Sequence, residues 1–239
     1  MTSDQTTENI AATEAVSWRE LAVARSLDSA RTRAESRVER FLDAALELMA
    51  DGDTTEFTVQ EVVERSGQSL RSFYQYFGGK HELMLALFEE SIRNTAIYLR
   101  EKVETEPDPL ERVRCFVVEY YRLCRPAPKT TPAQKPPSGS PVLVEFAQQL
   151  LTAHPTEAAR SFLPLVSLFE EVLDAAAAAG ELRASLHRRH IAGIVLESIM
   201  FNAFSATISG TSLQADGEAA ADELWSFLLY GMGVGSSPS

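Results

Sequence analysis

From Phe57 to Lys80 the chain reads FTVQEVVERSGQSLRSFYQYFGGK, which is too short for anything but two brief helices and a tight turn. Thr58 followed three residues later by Glu61 is a capping box, and Phe57 stands where it can staple onto Val62 across the helix start. Val59, Val62 and Val63 make one apolar stripe, Glu61, Glu64 and Arg65 face water, and Gly67 falls where a left-handed residue closes a helix. Ser69 then caps a second helix, with Leu70, Phe73 and Phe77 inward and Arg71, Ser72, Gln75 and the Tyr74 hydroxyl left outside. Upstream, Phe41, Ala44, Ala45, Leu48 and Met49 recur at helical spacing and supply a third helix to cover the other two. The pattern is a helix-turn-helix, and an outward face rich in hydrogen-bonding groups suits the major groove of double-stranded DNA.

Charge pulls the other way. The chain carries 22 Lys+Arg against 34 Asp+Glu, a formal net of -12, the wrong sign for a protein defined by phosphate binding. Local placement decides at a groove. From Arg65 to Lys80 there are three basic residues and no acidic one, and Arg31, Arg33 and Arg37 lead into the preceding helix. An electrostatically polarised molecule follows, with modest and strongly salt-dependent nonspecific affinity for DNA.

Thr58, Val62, Gly67, Ser69, Phe73, Tyr74, Tyr76, Phe77, Lys80 and Leu83 fall where the TetR family of bacterial transcription regulators places its signature, and over this span the chain resembles that family. The resemblance implies an all-α subunit: an N-terminal three-helix helix-turn-helix domain joined by a long helix to a larger C-terminal helical domain for ligand binding and dimerisation. On this chain that gives an extension over 1–30, partly disordered, a DNA-binding domain over 31–80 with its motif near 58–77, and a C-terminal domain over 81–239. Two departures stand out: Gln68 replaces a small apolar residue before the recognition helix, and Gly79 replaces the usual Ser or Asp cap of the next helix. Carried over by position, Thr58, Ser69, Ser72, Tyr76 and Lys80 look like phosphate contacts, whereas Arg71, Tyr74 and Gln75 look like base readers. Leu70, if exposed, would touch a thymine methyl. The plainer alternative makes Tyr74 and Tyr76 packing residues and Arg71 a solvated charge.

At 239 residues and 45% hydrophobic, the chain suffices for one small and one larger core. MTSDQTTENI is polar and lacks the apolar stretch of a signal peptide, and nowhere is there an apolar run able to cross a bilayer, so a cytoplasmic protein with no membrane partner is expected. Cys115 and Cys124 lack CxxC spacing and read as buried thiols, with a redox sensor as the alternative. The extension turns helical near Trp18 and is either a solvated helix or an arm reaching a minor groove through Arg31 and Arg33.

After Lys80, HELMLALFEESIRNTAIYLREKVE reads as one long helix that ends before Pro107 and links the two domains. Leu110 to Cys124 forms another. Six of the 11 prolines lie between Pro126 and Pro141, so 125–141 reads as a mobile or polyproline-like surface linker. Helices follow from Pro141 to about Ala153 and from Glu157 to Ala179, the latter stopped by Gly180 and bent by Pro164 or begun near it. IAGIVLESIMFNAFSATIS is apolar nearly all round and needs two partners. The resemblance supplies one, a homodimer through the last two helices; a buried central helix in a monomer is the alternative.

Catalytic motifs such as GxSxG, a P-loop or HExxH are absent, and the four histidines make no recognised metal spacing, so no enzyme, metal or cofactor is expected. Phe116, Tyr120, Phe146, Phe162, Phe169, Met200 and Phe204 either line an apolar cavity or pack as ordinary core; a cavity would take a hydrophobic or amphipathic effector. The reading that joins these features is a dimeric repressor that binds an operator palindrome and is released by a small molecule. Its alternative is a helical small-molecule-binding or protein-interaction module that does not bind DNA. Activation rather than repression depends on where the operator lies.

Overall fold

The computed structural model describes residues 18–52, 57–125, 141–183, 185–208 and 217–232. Among them the elements are α1 Trp18–Gly52, α2 Val59–Ser66, α3 Leu70–Tyr76, α4 Lys80–Glu104, α5 Pro109–Cys124, α6 Pro141–Ala153, α7 Pro155–Ala178, α8 Arg188–Ile208 and α9 Gly217–Met232. The fold is all-α. Residues 1–17 lie outside the described residues, as does nearly all of the proline-rich 125–141 segment, and with them the disorder and linker readings.

The short helices form as local chemistry dictates. Thr58 Oγ1 accepts from the Glu61 N–H at 3.2 Å, while Glu61 Oε2 accepts from the Thr58 N–H at 2.7 Å, so two orphan donors are satisfied reciprocally. Gly67 closes α2 at φ +64°, a left-handed conformation that only glycine adopts without strain, and the Gln68 N–H reaches back to the Val63 carbonyl. Ser69 Oγ accepts from the Ser72 N–H at 3.1 Å and starts α3. Phe41 of α1 meets Phe73 edge-on at 5.4 Å and Phe77 at 6.2 Å, and all three are buried. That aromatic trio, with Ala45, Val62 and Met49, is the core of the small N-terminal unit.

Leu70 departs from the inward stripe expected of it and is 43% exposed. A helical side chain leans toward the N-terminus, so the first residue of α3 projects past the helix start instead of down onto Phe41.

α4 leaves the recognition turn and enters the C-terminal unit unbroken. Asp108 Oδ1 accepts from the N–H groups of Leu110 at 2.8 Å and Glu111 at 3.0 Å, starting α5 behind Pro109. α7 is central and packs on α4, α5, α6 and α8. It begins at Pro155, two residues before the expected Glu157, because a proline at the first position forfeits only an N–H that has no helical partner. Pro164 lies inside it rather than at its start. α1 runs continuously from Trp18 through Arg31, so the described part of the extension is the exposed front of that helix. No helix among the described residues is long and apolar enough to cross a membrane.

Candidate nucleic-acid interface

The outer face of α3 is open. Ser69, Arg71 and Gln75 are exposed, Leu70 joins them, and Tyr74 is 57% exposed. Arg71, Tyr74 and Gln75 stand three and four residues apart and therefore share one side of the helix. The Tyr74 ring packs edge-on against Phe73 at 5.4 Å, which fixes the foot of a side chain whose ring is otherwise largely in solvent. This side presents a guanidinium, an amide and an apolar group within one helical turn, the groups that read guanine, adenine and a thymine methyl in a major groove.

The residues expected to touch phosphate are not equivalent. Thr58 gives its hydroxyl proton to Glu61 Oε2 at 2.8 Å, and those contacts hold the Glu61 carboxyl below the usual carboxylate range. Ser72 is half-buried; its Oγ, like Gln68 Nε2, is sealed from solvent and has no hydrogen-bond partner in the protein. Tyr76 is half-buried against the core. The Lys80 ammonium donates to the Phe57 carbonyl oxygen at 2.5 Å. Of the five, only Ser69 and Thr58 have exposed side chains, and of these two it is Ser69 whose hydroxyl proton stays out of the capping contacts.

Two further contacts hold the motif in place. Arg65 of α2 pairs with Glu47 of α1 at 3.3 Å. Gly79 gives α4 no side-chain cap, and Glu82 Oε2 instead accepts from the Gly78 N–H at 2.6 Å. On α1, Arg31 pairs with Glu35 at 2.7 Å, the Arg33 Nε–H donates to the Ser29 carbonyl at 3.0 Å, and Arg37 is exposed.

The aromatic residues expected around an effector fall into two groups, one at the Phe116–Phe169 stack and one in which Phe146 and Phe162 both pack on Phe88. Phe116 stacks on Phe169 at 4.3 Å with ring planes 8° apart, both fully buried, and Tyr120 and Met200 are also buried. Phe146 is buried against Phe88 at 6.1 Å. Phe162 lines a cavity of about 370 Å³ between α6, α7 and α8, together with Leu151, Val166, Leu196 and Arg189. The Phe204 side chain lies outside the described residues. Sequence reasoning missed Val166, Leu196 and Arg189. The available signal was the small residues Ala158, Ala159 and Gly193, which leave room between α7 and α8. A larger open groove of about 1060 Å³ runs between α1 and α4 past Leu42, Tyr76 and Tyr98. Among the described residues, His81, His154 and Glu157 are grouped so that they could hold a metal ion, at the α4–α7 junction.

Residues 41–87 match the model of the tetR family of bacterial regulatory proteins, which spans the end of α1, all of α2 and α3 and the first turns of α4. The transcriptional activator FasR of Mycolicibacterium smegmatis is 29% identical over 87 residues, 36% of this chain and 40% of FasR. The match thus covers less than half of that relative. Among solved structures, the fatty acid degradation regulator FadR from Bacillus halodurans is similar at a TM-score of 0.63 and 16% identity, covering 81% of this chain and 94% of that one. FadR from Bacillus subtilis, solved in complex with stearoyl-CoA, gives a TM-score of 0.60 at 13% identity over 81% and 98% of the two chains. At such identities the likeness is one of fold.

Proposed function

This chain belongs to the TetR family of bacterial transcription regulators, and on that premise we propose that it binds a palindromic operator as a cytoplasmic homodimer, represses transcription, and is released by a hydrophobic or amphipathic ligand. The observation that carries this is the open face of α3, where Leu70, Arg71, Tyr74 and Gln75 project from a helix whose other side is buried on Phe41. Arg71 pairs with a guanine and Gln75 with an adenine, Tyr74 and Leu70 add apolar contact, and Ser69 meets a phosphate beside the helix start.

One recognition helix contacts few base pairs; two, on half-sites a helical turn apart, give useful specificity. The pairing of two chains is supported by the apolar groups that α8 and α9 leave in solvent, Ile194, Phe201, Phe227 and Tyr230. The effector site is assigned to the cavity between α6, α7 and α8, whose mostly apolar wall, with Arg189 and Glu197 as its charged members, suits a ligand with an apolar body and a polar head. The stearoyl-CoA bound by Bacillus subtilis FadR is one molecule of that type. A ligand there displaces α7, and α4, which packs on α7, carries the shift to α3. By linkage, the ligand binds more weakly to the DNA-bound protein by the factor by which it weakens DNA binding. FasR is a transcriptional activator, and whether this chain activates or represses depends on where its operator lies.

The test mixes the purified chain with DNA from upstream of its own gene across a salt series and compares wild type with Tyr74→Ala. A retarded fragment whose preference over random DNA is lost in the variant supports the reading. No retardation of any fragment favours the non-DNA helical module, which the net charge of -12 also suits.

A further inference from the structure

We propose that His81, His154 and Glu157 form a binding site for a divalent transition-metal ion of the zinc type, which ties the first turn of α4 to the first turn of α7. The proposal goes beyond the DNA-binding reading and stands without it.

Three ligating side chains converge from two elements. His81 is the second residue of α4, His154 immediately precedes Pro155, and Glu157 lies in the first turn of α7. His81 Nε2 is 2.9 Å from Glu157 Oε2, His154 Nδ1 is 3.9 Å from Glu157 Oε1, and one ligand atom from each residue can be chosen so that all lie within 4.8 Å of one another. Zinc bonds of about 2.0–2.1 Å in a tetrahedron set neighbouring ligand atoms roughly 3.3 Å apart. The observed spacings straddle that value, so small side-chain rotations close the site. Two imidazoles and one carboxylate are a known zinc donor set, whereas magnesium and calcium prefer oxygen ligands throughout.

A simple ion pair accounts for less of this. One histidine suffices to partner Glu157, yet the second imidazole lies with its centroid 4.7 Å from that of His81. Two rings facing one carboxylate repel if both are protonated; a metal ion uses both in their neutral form. The site is also accessible, with side-chain exposures of 44% for His81, 47% for His154 and 35% for Glu157, leaving room for an ion to enter and for water as a fourth ligand. A cavity of about 300 Å³ adjoins the two rings, lined beside them by Phe146, Leu150 and Ala153 and by the polar Gln149 and Thr152. His81 follows directly on Lys80, so the ion links the exit of the recognition turn to the C-terminal unit.

The experiment uses the full chain stripped with a chelator and titrated calorimetrically with Zn²⁺ alone, then with Co²⁺ followed by its visible absorption. One ion per chain is expected, with a tetrahedral cobalt spectrum and a higher thermal midpoint in zinc. His81→Ala and His154→Ala should each weaken binding by at least about tenfold. All three groups are partly exposed, so helical circular dichroism should persist in the variants and separate loss of the site from loss of the fold. His187→Ala serves as the control, because His187 and His190 form the other histidine pair, with centroids 6.2 Å apart, and it should leave the titration unchanged. Absence of zinc binding to the wild type, or binding that survives the double substitution at His81 and His154, overturns the proposal. Binding lost in His187→Ala instead would do so equally.

Discussion

The Lys80 ammonium donates to the carbonyl oxygen of Phe57 at 2.5 Å and sits 4.4 Å from the centre of that residue's ring. The first residue of the bridging helix therefore grips the residue just before the cap of α2, 23 positions earlier in sequence. A charge-assisted hydrogen bond of this kind contributes about 1.5–3 kcal/mol, and the cation over the ring adds about 0.5–1 kcal/mol. Lys80→Met keeps the stem and removes both. Denaturant titration should show a loss of about 2–4 kcal/mol. DNA affinity should fall for all sequences alike, with an unchanged salt slope; a slope shallower by about one would instead put Lys80 on a phosphate.

Phe41 is the ring that α3 rests on, since it is fully buried and meets both Phe73 and Phe77 edge-on. Phe41→Ala should cost about 3–5 kcal/mol, a large part of what a small helical unit can supply. The measurement is thermal unfolding followed by circular dichroism with operator binding in parallel. Full retention of both would mean that the aromatic trio is not what orients α3.

Much of the helix-turn-helix could be read from the chain because its devices are local. The Thr58 and Glu61 box, the left-handed Gly67 and the Ser69 cap each involve residues within three or four positions of one another, so backbone rules alone suffice. Leu70 was misread because a helix of seven residues offers under two turns of periodicity, and its first residue answers to what lies beyond the helix. His81 and Glu157 are 76 positions apart, joined only because α4 packs on α7, and no spacing rule encodes that. The aromatics were left open between two roles for a different reason. Helical spacing tells that Phe116 and Phe162 face inward, but not that one meets the flat ring of Phe169 and the other a void beside Ala158.

The corrected place of Leu70 has its own test. At 43% exposure, Leu70→Ala should change stability by no more than about 0.5 kcal/mol, against about 2–5 kcal/mol for a leucine in the core. Arg71→Ala and Gln75→Ala, also exposed, should be equally mild for folding yet remove about 1–3 kcal/mol of preference at a single base pair each. Competition between operator variants differing at one position would show it. A uniform loss across all variants would make these residues phosphate contacts.

The two thiols should be inert. Burial pushes the Cys124 thiol up to about 12 and raises Cys115, where Glu119 and Glu106 add to the effect. Both folded values lie above the unfolded one, so the fold favours the protonated form. Their contribution to stability is complete below the ordinary thiol value of 9.0 and is lost as pH climbs through each folded value, about 12 for Cys124. A thiol reagent at about pH 8 should label half-buried Cys115 slowly and Cys124 only after denaturation. Rapid labelling of both in the native protein would revive the redox-sensor alternative.

The last prediction concerns α8 and α9. Phe227 is 75% exposed and Tyr230 86% exposed, three residues apart on one face of α9, while Ile194 and Phe201 of α8 are 52% and 41% exposed. Aromatic groups left this open add nothing to the subunit's own core, but they suit the buried centre of an interface, where such residues concentrate. Phe227→Arg together with Tyr230→Asp should therefore leave the unfolding of a single chain nearly unchanged while driving sedimentation equilibrium from a dimer to a monomer. Operator affinity should then fall far more than affinity for random DNA, because specific binding needs both half-sites and nonspecific binding does not. A wild-type chain that sediments as a monomer at working concentration, yet still selects its operator, would break the link between this face and recognition.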